Sequence, residues 1–500
     1  MKPEQTRAWY AAFKAKDARF DGRFFVGVSS TGIYCRPICP AKLPREENCT
    51  FFESAASAEH AGYRPCLMCR PELAPGAAPI DATSVLAHKA ARLLEENCGS
   101  GQSMEEYARR LGCSGRHFRR AFTVAFKVSP VQYLQTCRLL LAKNLLTDTR
   151  LSVTDVAMTA GFGSLRRFND LFKTRYRIPP SALRKQTPNT RDDALMLTLA
   201  YRPPYQWREM IDFLAQRAIP GVENVVDDRY TRTADYVNGA HKHIYGCVRV
   251  EHRPQKNALT VTIASSLLPA LPRLLARVRN LFDLYCTPDA VYETLSVMND
   301  TRPGVCVSGV RLPGCFDPFE TSVRAILGQQ ITVRAASTLA GRLAKTFGAP
   351  VDTGVEGLTH CFPSAHDIAA LSGNIADRLG PLGIRRARAN TILALAQKIV
   401  GGEIDFSLCV SPESEIKKLQ SIPGLGVWTA QTIAMRAMSW PDAFPHTDHG
   451  VKKALAPRSG KEILEIAELW RPWRAYATIN LWNSLQEGTT CSIRPRIRPH

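Results

Sequence analysis

Four of the fifteen cysteines are spaced so that they can share one ion. Cys35 and Cys39 are separated by three residues and Cys66 and Cys69 by two, with Pro and Gly around both pairs. Turns of that kind can aim two thiolates at one point. Four soft sulfur ligands suit tetrahedral Zn2+ at about 2.3 Å. Spacing alone fits a purely structural zinc as well as a reactive one. The other eleven cysteines are scattered singly and read as small buried hydrophobes. A second place with chemical potential lies far down the chain. Pro423-Gly424-Leu425-Gly426 precedes a helical run, and the backbone N–H groups of such a turn can hold a phosphate, helped by the helix N-terminus. Asp448 follows Trp428 by twenty residues.

The elements that must position these groups fall into four stretches. Pro71 to Pro79 is a Pro/Ala/Gly linker, and Gln186 to Asp193 is a polar one. With a further change of texture near residue 298, they divide the chain into 1–78, 79–187, 194–297 and 298–495. The expected fold is multidomain α+β: a small zinc α/β domain, an all-α domain, a mixed α/β subdomain and a helical domain. In the third stretch Leu195–Tyr201, Tyr245–Val250 and Leu259–Ser265 read as strands. From about Phe319 onward the sequence reads as short helices separated by Gly and Pro.

The second stretch repeats itself. Ser103-Met-Glu-Glu106 is a capping box before a short helix, and after a Gly-Cys-Ser turn comes a basic amphipathic helix, Arg116 to Phe126. Ser152 to Phe162, a Gly-Ser turn and Leu165 to Tyr176 follow the same plan. A short helix, a turn and a basic helix make a helix-turn-helix, whose second helix can enter the major groove. Two in tandem resemble the AraC-type DNA-binding domain, in length and in the Ala160-Gly161-Phe162 landmark. Arg116, Arg119, Arg120, Arg166 and Arg167 are the candidates for DNA contact.

Charge agrees with a polyanionic partner. The chain carries a formal net charge of +20. Residues 1–190 hold 29 Lys and Arg against 16 Asp and Glu, so most of that excess sits in the first two stretches. Lys and Arg displace counterions from phosphates. No apolar run reaches the ~20 residues of a membrane span, and Met1–Phe20 is too charged for a secretion signal. The expected setting is the cytoplasm, on the nucleoid.

Residues 31–40, 45–48 and 62–71 (Thr-Gly-Ile-Tyr-Cys35-Arg-Pro-Ile-Cys39-Pro, Arg45-Glu-Glu-Asn, Gly-Tyr-Arg-Pro-Cys66-Leu-Met-Cys69-Arg-Pro) closely resemble the N-terminal domain of the adaptive-response Ada proteins. The resemblance implies that Cys35 accepts a methyl group from a methylated DNA phosphate and adds Arg45 as a DNA contact. A thiolate is the nucleophile such a transfer needs, and a methyl phosphotriester has lost the charge that would repel it. The thioether product implies a single turnover. Zn2+ with four thiolates has a formal charge of −2, and one methylation makes it −1. DNA affinity is therefore expected to rise once damage has been sensed.

The Pro-Gly-x-Gly turn with a downstream Asp resembles the helix-hairpin-helix DNA glycosylases, of the AlkA-type 3-methyladenine branch. Phe316–Gln330 and Trp470–Tyr476 extend the likeness. It implies that Pro423, Gly424 and Gly426 grip DNA and that Asp448 stabilises an oxocarbenium-like sugar and orients water. The base must leave the stack to be reached. Trp428 and Trp473, with Tyr476 beside them, are the expected aromatic pocket for a cationic alkylated base. Gln330 stands where relatives carry a residue that fills the gap, and Thr432 where some have an aromatic wall. Gln420, Ile422 and Leu425 are the expected carbonyl ligands of a monovalent cation. Trp428 occupies the position of the lysine used by backbone-cutting relatives, so a monofunctional enzyme is expected. Only Cys491 lies near the C-terminus, so no iron–sulfur cluster is expected. The Pro-Cys-His-Arg acceptor of methylguanine repair is absent from the sequence.

The combined expectation is a zinc-dependent regulator fused to a base-excising glycosylase. It would act on double-stranded DNA as a monomer, with RNA polymerase as a further partner. The alternative is a regulator alone, carrying an inactive glycosylase fold.

Overall fold

The computed structural model describes residues 3–75, 85–183, 194–237, 243–406 and 412–490. Residues 76–79 of the first expected linker, the whole second linker at 186–193 and Cys491 lie outside these residues. Pro71–Leu73 forms one 3-10 turn with Pro71 buried.

The first module is a four-stranded sheet with two helices. Helix α1 (Pro3–Lys14) precedes β1 (Phe25–Val28), β2 (Ile33–Cys35) and β3 (Cys49–Phe52), and α2 (Ala55–His60) precedes β4 (Arg64–Pro65). The order is β3-β1-β2-β4. β1 runs antiparallel to both neighbours, while β4 lies parallel to β2 with Tyr34 opposite Pro65. That parallel pair brings the two cysteine loops together. Trp9 stacks on Phe24 at 4.8 Å to form much of the small core. So little buried surface is marginal without a further staple, and a metal is the usual one.

The second module consists of α3 (Val85–Glu96), α4 (Met104–Arg110), α5 (Gly115–Phe126), α6 (Pro130–Asp148), α7 (Val153–Thr159) and α8 (Leu165–Tyr176). The repeat read from the sequence is present atom by atom. Ser103 and Glu106 form the expected capping box. Ser114 and Ser164 cap α5 and α8, and both helices end on a left-handed basic residue, Lys127 or Arg177. Phe118 and Phe122 on α5, and Phe168 and Phe172 on α8, are buried at matching positions.

The third module is a five-stranded antiparallel sheet of β5 (Ala194–Ala200), β6 (Glu223–Val226), β7 (Arg229–Val237), β8 (His243–Arg253) and β9 (Ala258–Ala264). Their order is β5-β9-β8-β7-β6. Helices α9 (Trp207–Arg217) and α10 (Leu271–Leu281) accompany it. Three strands fall within a few residues of expectation; β6 and β7 were not foreseen.

Helices make up the remainder: α11 (Pro288–Leu295), α12 (Met298–Thr301), α13 (Pro318–Leu327), α14 (Val333–Phe347), α15 (Ala365–Ala369), α16 (Ile375–Leu379) and α17 (Arg386–Val400). Then come α18 (Pro412–Gln420), α19 (Val427–Arg436), α20 (His449–Ala454), α21 (Gly460–Ala467) and α22 (Arg474–Thr490). Among the described residues no helix is long and apolar enough to cross a membrane.

Candidate metal centre and candidate base-excision site

The four cysteines meet where the parallel strand pair ends. The Cys66 amide bonds the Tyr34 carbonyl at 3.0 Å, which sets the second loop beside Cys35. All four sulfurs lie within 4.8 Å of one another and all four residues are buried. Tetrahedral zinc thiolates stand about 3.8 Å apart, as bond lengths of 2.3 Å require. Cys39 and Cys66 are already at 4.0 Å. The donor set and its spacing therefore fit zinc. Arg36 braces the centre. Its amide donates to the Cys69 sulfur at 3.3 Å, and its guanidinium joins the Cys69 carbonyl and the buried Asp21 carboxylate. Leu67 and Met68, at the tip of the second loop, are exposed.

Asp448 is the N-cap of α20, and three N–H groups converge on it. Oδ1 accepts from the Val451 amide at 3.1 Å and from Trp482 Nε1 at 2.9 Å. Oδ2 accepts from Trp428 Nε1 at 2.9 Å. A carboxylate offers about four lone-pair directions. The three donors leave one of them, on Oδ2, for a reacting sugar or water. Asp448 and Trp428 are both half-buried, as an active group reached by substrate must be. The close approach of Trp482 depends on Gly450, where a Cβ would stand 2.8 Å from the indole ring. Phe213 of α9 lies parallel to Trp482 at 6.3 Å, and the Arg217 guanidinium sits 3.7 Å over Phe213. Burial and the neighbouring Arg436 and Arg324 disfavour the charge on Arg217, while Asp448 favours it.

The expected aromatic pocket is only partly brought together. Trp428 touches Asp448. Trp473 and Tyr476 are buried elsewhere, edge to face with each other at 5.5 Å. The Tyr476 hydroxyl donates to Asp283 at 2.8 Å. They line a cavity of about 30 Å³ with Asp283, Tyr285 and Ser439, room for a water rather than a purine. Trp482 stands beside the carboxylate with Phe213 behind it, and neither was singled out in the sequence. The signal was available in Gly450, two residues after Asp448, which makes space for a large ring.

The hairpin is formed by α18, a turn and α19. Gly424 has φ +91°, and a Cβ there would collide with Thr391. Pro423, Gly424 and Gly426 are exposed, as a phosphate grip requires, whereas Ile422 and Leu425 are buried. The carbonyl of Ile422 accepts from the Leu425 amide at 3.0 Å, and Gln420 ends α18. Gln330 is exposed with φ +55° in the loop between α13 and α14. Its neighbour Gln329 donates to Gly424 O and to Thr429 Oγ1, both at 2.9 Å. Thr432 faces inward and donates to Trp428 O at 2.8 Å. Arg45, Arg116, Arg119, Arg120, Arg166 and Arg167 are all exposed, and only Arg45 and Arg119 are in ion pairs, with Glu47 and Glu105.

Folds and sites together define a regulator and DNA repair protein in one chain, and sequence comparison agrees. Residues 8–72 match the metal binding domain of Ada and 107–186 a helix-turn-helix domain. Residues 196–317 match the AlkA N-terminal domain and 323–460 the HhH-GPD superfamily base excision DNA repair protein. The chain is 34% identical to the probable bifunctional transcriptional activator/DNA repair enzyme AlkA of Mycobacterium tuberculosis, over 95% of this chain and 96% of that protein. It belongs to that family. It is also 35% identical to DNA-3-methyladenine glycosylase 2 of Escherichia coli, over 57% of this chain and 96% of the relative. A third relative, the bifunctional transcriptional activator/DNA repair enzyme Ada of Escherichia coli, is 34% identical over 30% of this chain and 40% of its own length.

Proposed function

We propose that this chain senses alkylated DNA through Cys35, regulates transcription through the tandem helix-turn-helix, and excises alkylated bases such as 3-methyladenine at Asp448. The observation that carries the excision reading is a single carboxylate, held by two indoles and an amide, behind a phosphate-gripping turn.

In that reading the duplex lies across the exposed hairpin turn and Gln330 fills the space left by the extruded base. The cationic purine meets the indole faces of Trp428 and Trp482, where cation–π attraction favours it. The glycosidic C–N bond breaks with its electron pair moving to the base. Asp448 stabilises the positive sugar and orients a water, whose oxygen bonds the anomeric carbon while its proton passes to solvent. No lysine lies in the pocket run Trp428–Thr432, so the strand is left uncut.

At the other end the Cys35 sulfur attacks the methyl carbon of a phosphotriester. The S–C bond forms, the C–O bond breaks, and the phosphodiester leaves as an anion. Zinc bound by Cys35, Cys39, Cys66 and Cys69 would keep these thiols deprotonated. The methylated centre carries less negative charge and binds promoter DNA more tightly. The same reading makes double-stranded DNA the partner of a monomer on the nucleoid, with RNA polymerase recruited at promoters. It also places a monovalent cation on the carbonyls of Gln420, Ile422 and Leu425.

The sensor half is tested by peptide mapping after incubation with duplex DNA bearing one methyl phosphotriester. A single methyl group on Cys35, with induction of a damage reporter lost in Cys35→Ala, is the expected result. An unmodified Cys35, or induction that survives the substitution, contradicts it.

A further inference from the structure

Helix α17 touches both parts of the DNA-facing surface. Its Thr391 donates to the Pro423 carbonyl of the hairpin turn at 2.8 Å and packs against Gly424. One turn earlier on the same face, Arg388 donates through Nη2 to the carbonyl of Gln329. Gln329 in turn bonds Gly424 O and Thr429 with its side chain. Gln330, the next residue, is held at φ +55°, a left-handed conformation that a non-glycine residue keeps only when its surroundings impose it.

Arg388 is an unusual choice for a merely structural strut. It is half-buried, it has no carboxylate partner among the described residues, and Arg385 stands close enough to repel its charge. Its guanidinium instead donates to the loop that presents Gln330.

We propose that Arg388 is a positioning residue for base extrusion, fixing Gln330 against the hairpin so that wedge and phosphate grip meet the duplex as one unit. The proposal rests on the glycosylase reading above. Arg388 touches neither the base nor Asp448. It governs how often a paired base is delivered to the pocket, not the rate at which a delivered base is cut.

The test is single-turnover release of 7-methylguanine by the full-length protein, from a fully paired duplex and from the same strand annealed with a small unpaired bubble at the lesion. Arg388→Met keeps the aliphatic stem, and its melting temperature is compared with wild type. Small misplacements of positioning groups cost on the order of ten- to a hundredfold, so the duplex rate is expected to fall by about that much and the bubble rate to stay within about twofold. In a Gln330→Ala background the same substitution is expected to have little further effect, because the group it positions is gone. Equal losses on both substrates, no loss on either, or an undiminished effect without Gln330 would each overturn the proposal. Wild-type release from the duplex but not from the bubble would also overturn it, whereas release of neither 7-methylguanine nor 3-methyladenine from either substrate would remove the glycosylase reading, and this inference with it.

Discussion

Asp448 holds its place through partners that come from three directions in sequence: the turn of its own helix, Trp428 twenty residues before, and Trp482 thirty-four after. The carboxylate itself was legible, because it follows a turn of recognisable composition. So were the four cysteines, because two close pairs have few other uses. Trp482 was not, because a tryptophan inside an apolar helix reads as core, and only the packing of α22 against α20 turns its N–H toward the site. Trp473, nearer to a recognisable motif, drew the expectation instead. Trp482→Phe keeps the ring but removes one donor from Asp448 Oδ1. Losing one preorganised donor costs up to about a hundredfold or more, so base release is expected to fall at least about tenfold. Trp473→Phe is expected to leave it nearly unchanged. Single-turnover rates of the two variants side by side check this, and the reverse order would return the pocket to Trp473.

The elements divide by what their periodicity reports. The tandem helix-turn-helix was legible down to the Ser103–Glu106 capping box, since both units carry Gly and Ser in the turn and Phe at matching positions of the following helix. β7 was not, because its buried face carries charge. Arg232 is buried and paired with Glu320 at 2.6 Å, beside Glu223 on β6. A strand that buries an ion pair shows no clean alternation of apolar residues. The same network fastens the sheet to α13, which leads into the loop of Gln330. At the hairpin, Gly424→Ala adds a Cβ at φ +91° and against Thr391. The expected outcome is a loss of about 1–2 kcal/mol in stability and weaker binding of duplex DNA. Thermal melting and a titration with abasic-site DNA measure both. Unaltered DNA affinity in a folded variant would show that the turn is not the grip.

The whole molecule is more closely joined than linkers suggest. Glu59 of the first module is buried against the second, accepting from Tyr34 at 3.1 Å and from Thr136 at 3.0 Å, with Tyr176 of α8 at 3.4 Å. Beside it Lys143 pairs with Glu72, and Arg70 reaches Asp148 at 2.6 Å. The second module also meets the glycosylase half, where Arg92 lies 4.4 Å over Tyr285 and Arg273 donates to Asn97 at 3.0 Å. None of the contacts between modules was readable in advance, because each joins residues far apart in sequence that no local pattern links. Burial pushes the Glu59 carboxyl up to about 7 from an ordinary 4.5. The folded state therefore binds more protons than the unfolded between those values, so stability falls as pH rises through that window and is level above it. The full effect is about 3 kcal/mol. Glu59→Gln is expected to flatten this slope in the first denaturant transition, and an unaltered slope would assign it to another group.

In the proposed function the carboxylate at the hairpin drives cleavage of the bond to an alkylated base. The direct measurement is chromatography of free bases released from methylated duplex DNA by the full-length protein, beside Asp448→Asn. Asparagine is as good an N-cap as aspartate, so the variant is expected to keep its fold while losing the charge and the acceptor of Trp428 Nε1. Release of 3-methyladenine by the wild type, lowered by about a hundredfold or more in the variant, is the predicted result. Release by both proteins alike would move the chemistry away from Asp448. Release by neither, from DNA shown to be methylated, would leave a zinc-dependent regulator carrying an inactive glycosylase fold.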